Sequence, residues 1–123
     1  MEDKNLKILI VDDEVMLNSM YRAKFQKEWF DVQVANDWLE AYTEILDFQP
    51  DVVLLDIMMP NMDWFETLNL FNQEPTFNAK VLVLSNINNW SYIEKAKALW
   101  ACEYLVKSNC TPQYVVDKVK ELV

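Results

Sequence analysis

The stretch from Asp51 to Asp63, DVVLLDIMMPNMD, begins with a short apolar run that ends abruptly on a carboxylate, and this run indicates the kind of sheet in the fold. Residues 52–55 show no alternation of polar and apolar side chains, which predicts a strand buried on both faces inside a parallel sheet. Asp56 then stands at the carboxyl end of this strand, and Pro60 and Asn61 indicate a loop. Ligands of open α/β sheets bind just outside the carboxyl ends of strands, so Asp56 is a candidate for chemistry.

The sequence on either side of this stretch alternates between strand and helix patterns. Strands are predicted at residues 6–11, 30–35, 52–55, 80–84 and 102–106. Helices are predicted at residues 15–28, after a cap at Asn36 or Asp37, after a cap at Asp63, at residues 91–99, and from Thr111-Pro112 onward. Because parallel neighbours need right-handed crossover helices, this alternation predicts a doubly wound α/β fold with a parallel five-stranded sheet. Of the two common orders, five strands favour 2-1-3-4-5.

Helical periodicity predicts which side chains face the core. These residues are Leu17, Met20, Tyr21 and Phe25 in the first helix, Leu39, Tyr42, Ile45 and Leu46 in the second, Phe65, Leu68 and Phe71 in the third, and Tyr114, Val115, Val119 and Leu122 in the last. Asn18 falls off the apolar face of the first helix.

The composition is typical of one compact domain, residues 1–123, because 52% of the residues are hydrophobic. No apolar run approaches the about 18 residues that a membrane span requires, so we expect a cytoplasmic protein with no membrane insertion. A net charge of −9 repels nucleic acid phosphates, which argues against direct nucleic acid binding. Cys102 and Cys110 are too few for a disulfide framework and have no metal-ligand spacing.

Polar side chains follow four of the five predicted strands. Asp12 and Asp13 follow the first strand, Asp56 the third, Ser85 the fourth and Lys107 the fifth. In a parallel sheet these groups emerge at one edge. Taken singly, each has an ordinary explanation, such as an acidic first helical turn, a loop hydroxyl or a solvated lysine. Their joint placement predicts a functional site.

The same residues in the same order resemble the receiver domain of two-component response regulators, over essentially the whole chain. The matching features are the Asp12-Asp13 pair after a hydrophobic strand, Asp56 before a Met59-Pro60 loop, and Ser85 and Lys107 at the ends of the next strands. The resemblance implies a flavodoxin-like, three-layer (βα)5 fold and a phosphoacceptor signalling switch that is not an enzyme. The chain is similar to the single-domain regulators of chemotaxis and phosphorelays, and a receiver cut from a larger protein would look the same.

Carboxylates that converge at one edge repel one another and stay ionised together only if a cation lies between them. Oxygen ligands favour Mg²⁺ over zinc, and the chain has no histidine. We assign Asp13 and Asp56 as direct ligands and Asp12 as a ligand through water, and the resemblance adds the backbone carbonyl of Met58. Asp56 is then the nucleophile that accepts a phosphoryl group. The resemblance implies a histidine kinase or histidine phosphotransfer protein as the donor.

Lys107 and Ser85 are expected to assist at Asp56. The lysine, with Mg²⁺, neutralises charge on the transferred group, and the Ser85 hydroxyl donates to one of its oxygens. The resemblance implies that Ser85 then moves toward the phosphate while Tyr104 turns inward, although core packing explains a buried Tyr104 equally well. A face made of the fourth helix, fifth strand and fifth helix would change, and a downstream protein target or output domain would read it.

Two features depart from the receiver pattern. A chain of this length commonly has about eight or nine glycines, and this one has none. Tryptophan stands at five positions where receivers commonly have glycine, which indicates systematic replacement: Trp29, Trp38, Trp64, Trp90 and Trp100. A bulky residue in the positive-φ conformation that glycine adopts at helix ends costs about 1–2 kcal/mol. Ser108 stands where receivers usually have proline, and we expect a looser loop there.

Two other functions stay open. A phosphorylation-independent interaction module would result if the Trp substitutions or Ser108 disable the pocket, for example if Trp64, in the loop after Asp56, obstructs the phosphodonor. An Asp-nucleophile phosphohydrolase is disfavoured, because it needs a second acid two residues after Asp56, where this chain has Met58.

Overall fold

Five strands and five α-helices alternate in the part of the chain that the computed structural model describes, residues 5–57, 64–86, 90–98 and 101–123. In chain order they are β1 (Lys7–Val11), α1 (Val15–Lys27), β2 (Asp31–Ala35), α2 (Trp38–Asp47), β3 (Val52–Leu55), α3 (Trp64–Gln73), β4 (Lys80–Ser85), α4 (Trp90–Ala98), β5 (Ala101–Val106) and α5 (Pro112–Leu122). A short 3-10 helix, Lys107–Asn109, separates β5 from α5. The predicted Met58 ligand, the Met59-Pro60 loop, the Asp63 cap and Trp100 lie outside the described residues.

The sheet is parallel throughout, with the order β2-β1-β3-β4-β5, so the predicted topology is confirmed. β1 and β3 are neighbours at the point where the strand order reverses, and Val11 is in register with Leu55. The Asp56 N–H donates to the Val11 carbonyl at 2.9 Å, which continues the pairing one residue beyond the strands. This register brings the residues that follow β1 and β3 side by side.

Helices cover both faces of the sheet, so the domain has three layers. Alternate residues of a strand point to opposite faces, which is why Leu9 and Ile10 belong to different buried clusters. The cluster on one face takes Ala41, Ile45, Leu68, Phe71 and Ala96 from α2, α3 and α4. The cluster on the other face takes Tyr21, Phe25, Val115, Val116 and Val119 from α1 and α5. All four residues of β3 are buried, as its unbroken apolar run predicts.

Some predicted helix faces are wrong. The periodicity places Met20, Leu39, Leu46 and Tyr114 against the core, whereas the structure exposes all four. It places Asn18 off the apolar face, whereas Asn18 is buried. In α2 and α5 the smaller residues Ala41 and Val116 pack against the sheet. Periodicity ranks side chains by hydrophobicity, but close approach of a helix to a sheet also selects for small size.

Two helix starts follow the predicted capping chemistry. The Asp37 carboxylate accepts from the Glu40 N–H at 2.8 Å, so Asp37 rather than Asn36 caps α2. The Thr111 hydroxyl accepts from the Tyr114 N–H at 3.1 Å, with Pro112 at the first helical position of α5. Within the described residues, no helix combines the length and apolarity that crossing a membrane demands.

The tryptophans differ in backbone conformation. Trp29, just after α1, has φ of 69°, in the left-handed region that glycine adopts freely. Trp38, Trp64 and Trp90 instead begin α2, α3 and α4. Across the described residues the positive-φ positions are Trp29 and Gln49. The expected backbone strain is therefore present at Trp29 and absent at the other three described tryptophans.

Candidate functional site

Three carboxylates meet at the carboxyl edge of the sheet. Asp12 follows β1 and Asp56 follows β3, and both side chains are almost fully buried, whereas Asp13 is exposed. One oxygen from each of Asp12, Asp13 and Asp56 lies within 4.8 Å of the other two. β1 and β3 are neighbouring strands, and their last residues, Val11 and Leu55, are in register. Asp12 and Asp56, the next residues of the chain, therefore lie side by side.

Lys107 contacts the same cluster from β5, an edge strand of the sheet. It follows β5, and its side chain crosses the end of β4 to place Nζ 2.9 Å from Asp12 Oδ2 and 3.0 Å from Asp56 Oδ2. A third carboxylate, Glu14, contacts the same ammonium at 3.1 Å. The sequence signals Glu14 only as the third acid in the run after β1, so its contact with Lys107 was not predicted.

The electrostatics of the cluster follow from two buried acids that share one lysine. Burial raises the pKa of the Asp12 carboxyl above its ordinary value, and the Asp56 charge adds to this, while the Glu14 N–H and the Lys107 ammonium oppose it. Burial lowers the pKa of Lys107, but its hydrogen bonds to Asp12 and Asp56 outweigh burial and raise the pKa. The lysine is therefore firmly charged, and the surplus of carboxylates favours a further cation.

Ser85 lies on β4, the strand next to β3, and Tyr104 lies on β5, one strand further out. Ser85 ends β4, has no exposed surface and is in register with Val106, the residue before Lys107. Tyr104 is buried in β5 opposite Val83, in the cluster covered by α2, α3 and α4. Because strand residues two apart share a face, Ser85 and Tyr104 lie on the same face of the sheet. The burial of Tyr104 agrees with core packing as well as with a switch.

The loop after β5 is tied to the loop after β4. Residues Lys107–Asn109 form a 3-10 helix, and the Ser108 N–H donates to Asn86 Oδ1 at 3.1 Å. The Cys110 N–H closes the turn on the Lys107 carbonyl at 3.3 Å. The Ser108 N–H, a group that proline lacks, therefore makes a bond in this loop. The looser loop expected from Ser108 stays a prediction. Asn86 was not predicted as a site residue.

A buried amide supports the backbone of Asp12. Asn18 on α1 donates from Nδ2 to the Asp12 carbonyl at 2.5 Å and to Asn36 Oδ1 at 3.2 Å. The Glu14 N–H in turn donates to Asp12 Oδ1 at 2.9 Å. Asp12 is thus held by both its carbonyl and its carboxylate. Periodicity missed Asn18, because it treats every amide as a solvent-facing residue.

The acid cluster suits a metal ion. Asp12, Asp13 and Asp56 offer oxygen ligands close enough together to share one cation, and the exposed Asp13 leaves a way in from solvent. The predicted Met58 ligand lies outside the described residues.

A parallel 2-1-3-4-5 sheet that carries clustered aspartates and a lysine at its carboxyl edge defines the receiver class of (βα)5 proteins. The profile of the response regulator receiver domain family matches residues 8–120, and the chain belongs to this family. The resemblance seen in the sequence is therefore confirmed.

Similarity to individual proteins supports the family assignment. The chain is 34% identical over 104 residues to the chemotaxis protein CheY of Listeria monocytogenes, covering 83% of this chain and 86% of that one. It is 29% identical over 119 residues to the sporulation initiation phosphotransferase F of Bacillus subtilis, covering 97% and 91%. The solved structure of Vibrio cholerae chemotaxis protein CheY4 superposes with a TM-score of 0.90 at 24% identity, covering 98% of this chain and 100% of that one, which supports the fold.

Proposed function

We propose that this receiver domain is a Mg²⁺-dependent phosphoacceptor switch, in which Asp56 takes a phosphoryl group from a histidine kinase or a histidine phosphotransfer protein. One observation carries the proposal: the Lys107 ammonium lies 3.0 Å from Asp56, in a cluster of three aspartates at the edge of the sheet. An acid that is nearly buried on a central strand, beside a fixed cation, suits a nucleophile for a negatively charged donor.

The transfer step uses groups that lie at the same edge of the sheet. An Asp56 oxygen attacks phosphorus, the new O–P bond forms, and the bond from phosphorus to the donor atom breaks, so that the donor leaves with its electron pair. Lys107 neutralises charge that develops on the phosphoryl oxygens, and Ser85 at the end of β4 donates a hydrogen bond to one of them. Both assignments rest on placement at the same edge of the sheet.

The bonds that Asp12 already makes support the proposed metal assignment. Asp12 Oδ1 accepts from the Glu14 N–H and Oδ2 accepts from Lys107, so this carboxylate suits a ligand through water. Asp13 and Asp56 are then the direct carboxylate ligands, and Met58 adds its backbone carbonyl. When bound, Mg²⁺ supplies positive charge next to the phosphoryl oxygens.

The output follows from added charge on Asp56. A phosphoryl group brings about −1.5 to −2 charge and three acceptor oxygens. Ser85 is on the neighbouring strand and Tyr104 shares its face of the sheet, which supports the proposal that both respond to the phosphoryl group. The face formed by α4, β5 and α5 would then change, for a downstream protein target or output domain to read. The proposal includes a cytoplasmic location, and a domain that assists its own phosphorylation without being an enzyme.

Phosphorylation of the intact protein tests the proposal. Acetyl phosphate with Mg²⁺ is expected to add the mass of one phosphoryl group, and chelation of Mg²⁺ or the substitution Asp56→Asn is expected to prevent it. Asp47→Asn, at an exposed carboxylate at the end of α2, is the matched control and should be modified like the wild type. A wild-type protein that gains no mass would favour the phosphorylation-independent interaction module instead.

A further inference from the structure

The three donors of the Lys107 ammonium have three carboxylate partners in this structure. The distances from Nζ are 2.9 Å to Asp12, 3.0 Å to Asp56 and 3.1 Å to Glu14. An ammonium has three N–H groups and no more. A phosphoryl group that approaches Asp56 therefore competes with these three carboxylates for the donors of Lys107.

The three contacts differ in how readily they are released. The Asp12 and Asp56 side chains are 6% and 4% exposed, so either carboxylate would lose a partner where little water can replace it. The Glu14 side chain is 59% exposed, and water can hydrate its carboxylate when Lys107 leaves. Breaking the contact between Lys107 and Glu14 therefore costs the least free energy of the three.

We propose that Glu14 is a positioning residue that holds the third donor of Lys107 in the resting state and competes with the incoming phosphoryl group for it. The inference rests on the proposed function of Asp56 and assigns a regulator of its phosphorylation rate. Glu14 stands at the N-cap of α1 but makes no side-chain cap bond there, so its carboxylate is directed to Lys107 instead of the helix N-terminus.

Two substitutions separate this contact from the charge of Glu14. Glu14→Gln removes the charge and keeps the length of the side chain. Glu14→Asp keeps the charge, but aspartate favours bonding to the N–H groups of its own helix at an N-cap, which turns the carboxylate away from Lys107. Glu40→Gln is the charge control, because Glu40 is exposed at the same end of the sheet and its contact is with Asn36.

The measurement is the rate of phosphoryl adduct formation from acetyl phosphate at saturating Mg²⁺, with the Mg²⁺ midpoint recorded separately. Glu14→Gln and Glu14→Asp are both expected to be faster than the wild type by about two- to fivefold, the range that an exposed ion pair is worth. Glu40→Gln is expected to react at the wild-type rate.

Three outcomes would overturn the inference. They are a Glu14→Asp protein that reacts like the wild type, a Glu14→Gln protein that reacts like Glu40→Gln, and a slower rate in either Glu14 variant. A wild-type protein that forms no adduct would overturn the proposed function, and the inference with it. The two failures are therefore distinguishable.

Discussion

Lys107 donates to Asp56 Oδ2 at 3.0 Å, which links the ends of β5 and β3 across the intervening β4. The same ammonium contacts Asp12 Oδ2 at 2.9 Å, so two nearly buried carboxylates depend on one cation. An ion of this kind left without its partner is strongly unfavourable. The stability of the metal-free domain and the chemistry proposed for Asp56 therefore rest on the same lysine.

Lys107→Met is expected to lower the free energy of unfolding by about 3 kcal/mol without Mg²⁺, because it removes the counterion of two buried carboxylates. Added Mg²⁺ should recover part of this loss, since it binds the folded state at the same oxygens. Urea unfolding with and without Mg²⁺ measures both effects. The control is Lys120→Met, because Lys120 pairs with Glu28 at the surface and its loss should cost at most about 1 kcal/mol. Equal losses would contradict the electrostatic explanation.

Asp13→Asn is expected to have the opposite effect on the metal-free protein. It removes one of three carboxylates whose oxygens lie within 4.8 Å of one another, which should raise the free energy of unfolding by about 1 kcal/mol. The stabilisation that Mg²⁺ gives the wild type should disappear. Urea unfolding over a Mg²⁺ series is the measurement, with Asp47→Asn as an exposed control that keeps the wild-type response. A full Mg²⁺ response in Asp13→Asn would place the ion elsewhere.

Ser108→Pro introduces the residue that receivers usually have at this position, yet it is expected to destabilise this chain. Proline has no N–H, so the 3.1 Å bond to Asn86 Oδ1 is lost, at a cost of about 1 kcal/mol. Asn86→Ala removes the same bond from the other side. A double-mutant cycle by urea unfolding should therefore show that the two losses are not additive. Fully additive losses would mean that the bond contributes nothing.

The sequence predicts the sheet and most of the site because both depend on short-range patterns. Unbroken apolar runs that stop on a polar residue mark buried parallel strands, and a parallel register brings those stops to one edge. Asp12, Asp56 and Lys107 are identified in this way, and the structure places the Lys107 ammonium within hydrogen-bond distance of both carboxylates. The order 2-1-3-4-5 completes the argument, since it makes β1 and β3 neighbours.

The residues that the sequence missed are those whose role depends on a partner in another element of the fold. The sequence pattern around Glu14 indicates only an acid near the start of a helix, and its contact with Lys107, the residue after β5, is seen only in the structure. The helical pattern places Asn18 toward solvent, whereas its side chain donates to the Asp12 carbonyl. Asn86 accepts a hydrogen bond from the Ser108 N–H, which no pattern around Asn86 indicates. No local pattern encodes these distances, because each spans different elements of the fold.

Tyr21 is expected to make the free energy of unfolding fall as the pH becomes alkaline. Burial raises the pKa of Tyr21 to about 12, whereas a tyrosine in the unfolded chain loses its proton near pH 10. A raised folded-state pKa gives stability that is full below about pH 10 and is lost as the pH rises toward 12, by up to about 1.4 kcal/mol per pH unit. Urea unfolding from pH 7 to 11 should show a shallower alkaline fall in Tyr21→Phe than in the wild type, with parallel curves below pH 9. Identical alkaline slopes would contradict the raised pKa.

Trp29 and Trp90 differ in backbone conformation, and replacing each by glycine should therefore change stability in opposite directions. Both side chains are largely exposed, at 79% and 72%, so either replacement removes little buried surface. Trp29 has φ of 69° and its N–H donates to the Gln26 carbonyl at 3.1 Å, which fixes the left-handed turn that ends α1.

That conformation costs a non-glycine residue about 1–2 kcal/mol. Replacement by glycine removes this cost, but the greater freedom of glycine in the unfolded chain offsets part of the resulting stabilisation. Trp29→Gly is therefore expected to raise the free energy of unfolding by about 1 kcal/mol. Trp90 begins α4 in helical conformation, so Trp90→Gly should lower it by about 0.5–1 kcal/mol. Urea and thermal unfolding measure both signs, and a Trp29→Gly protein that is less stable than the wild type would show that the turn carries no strain.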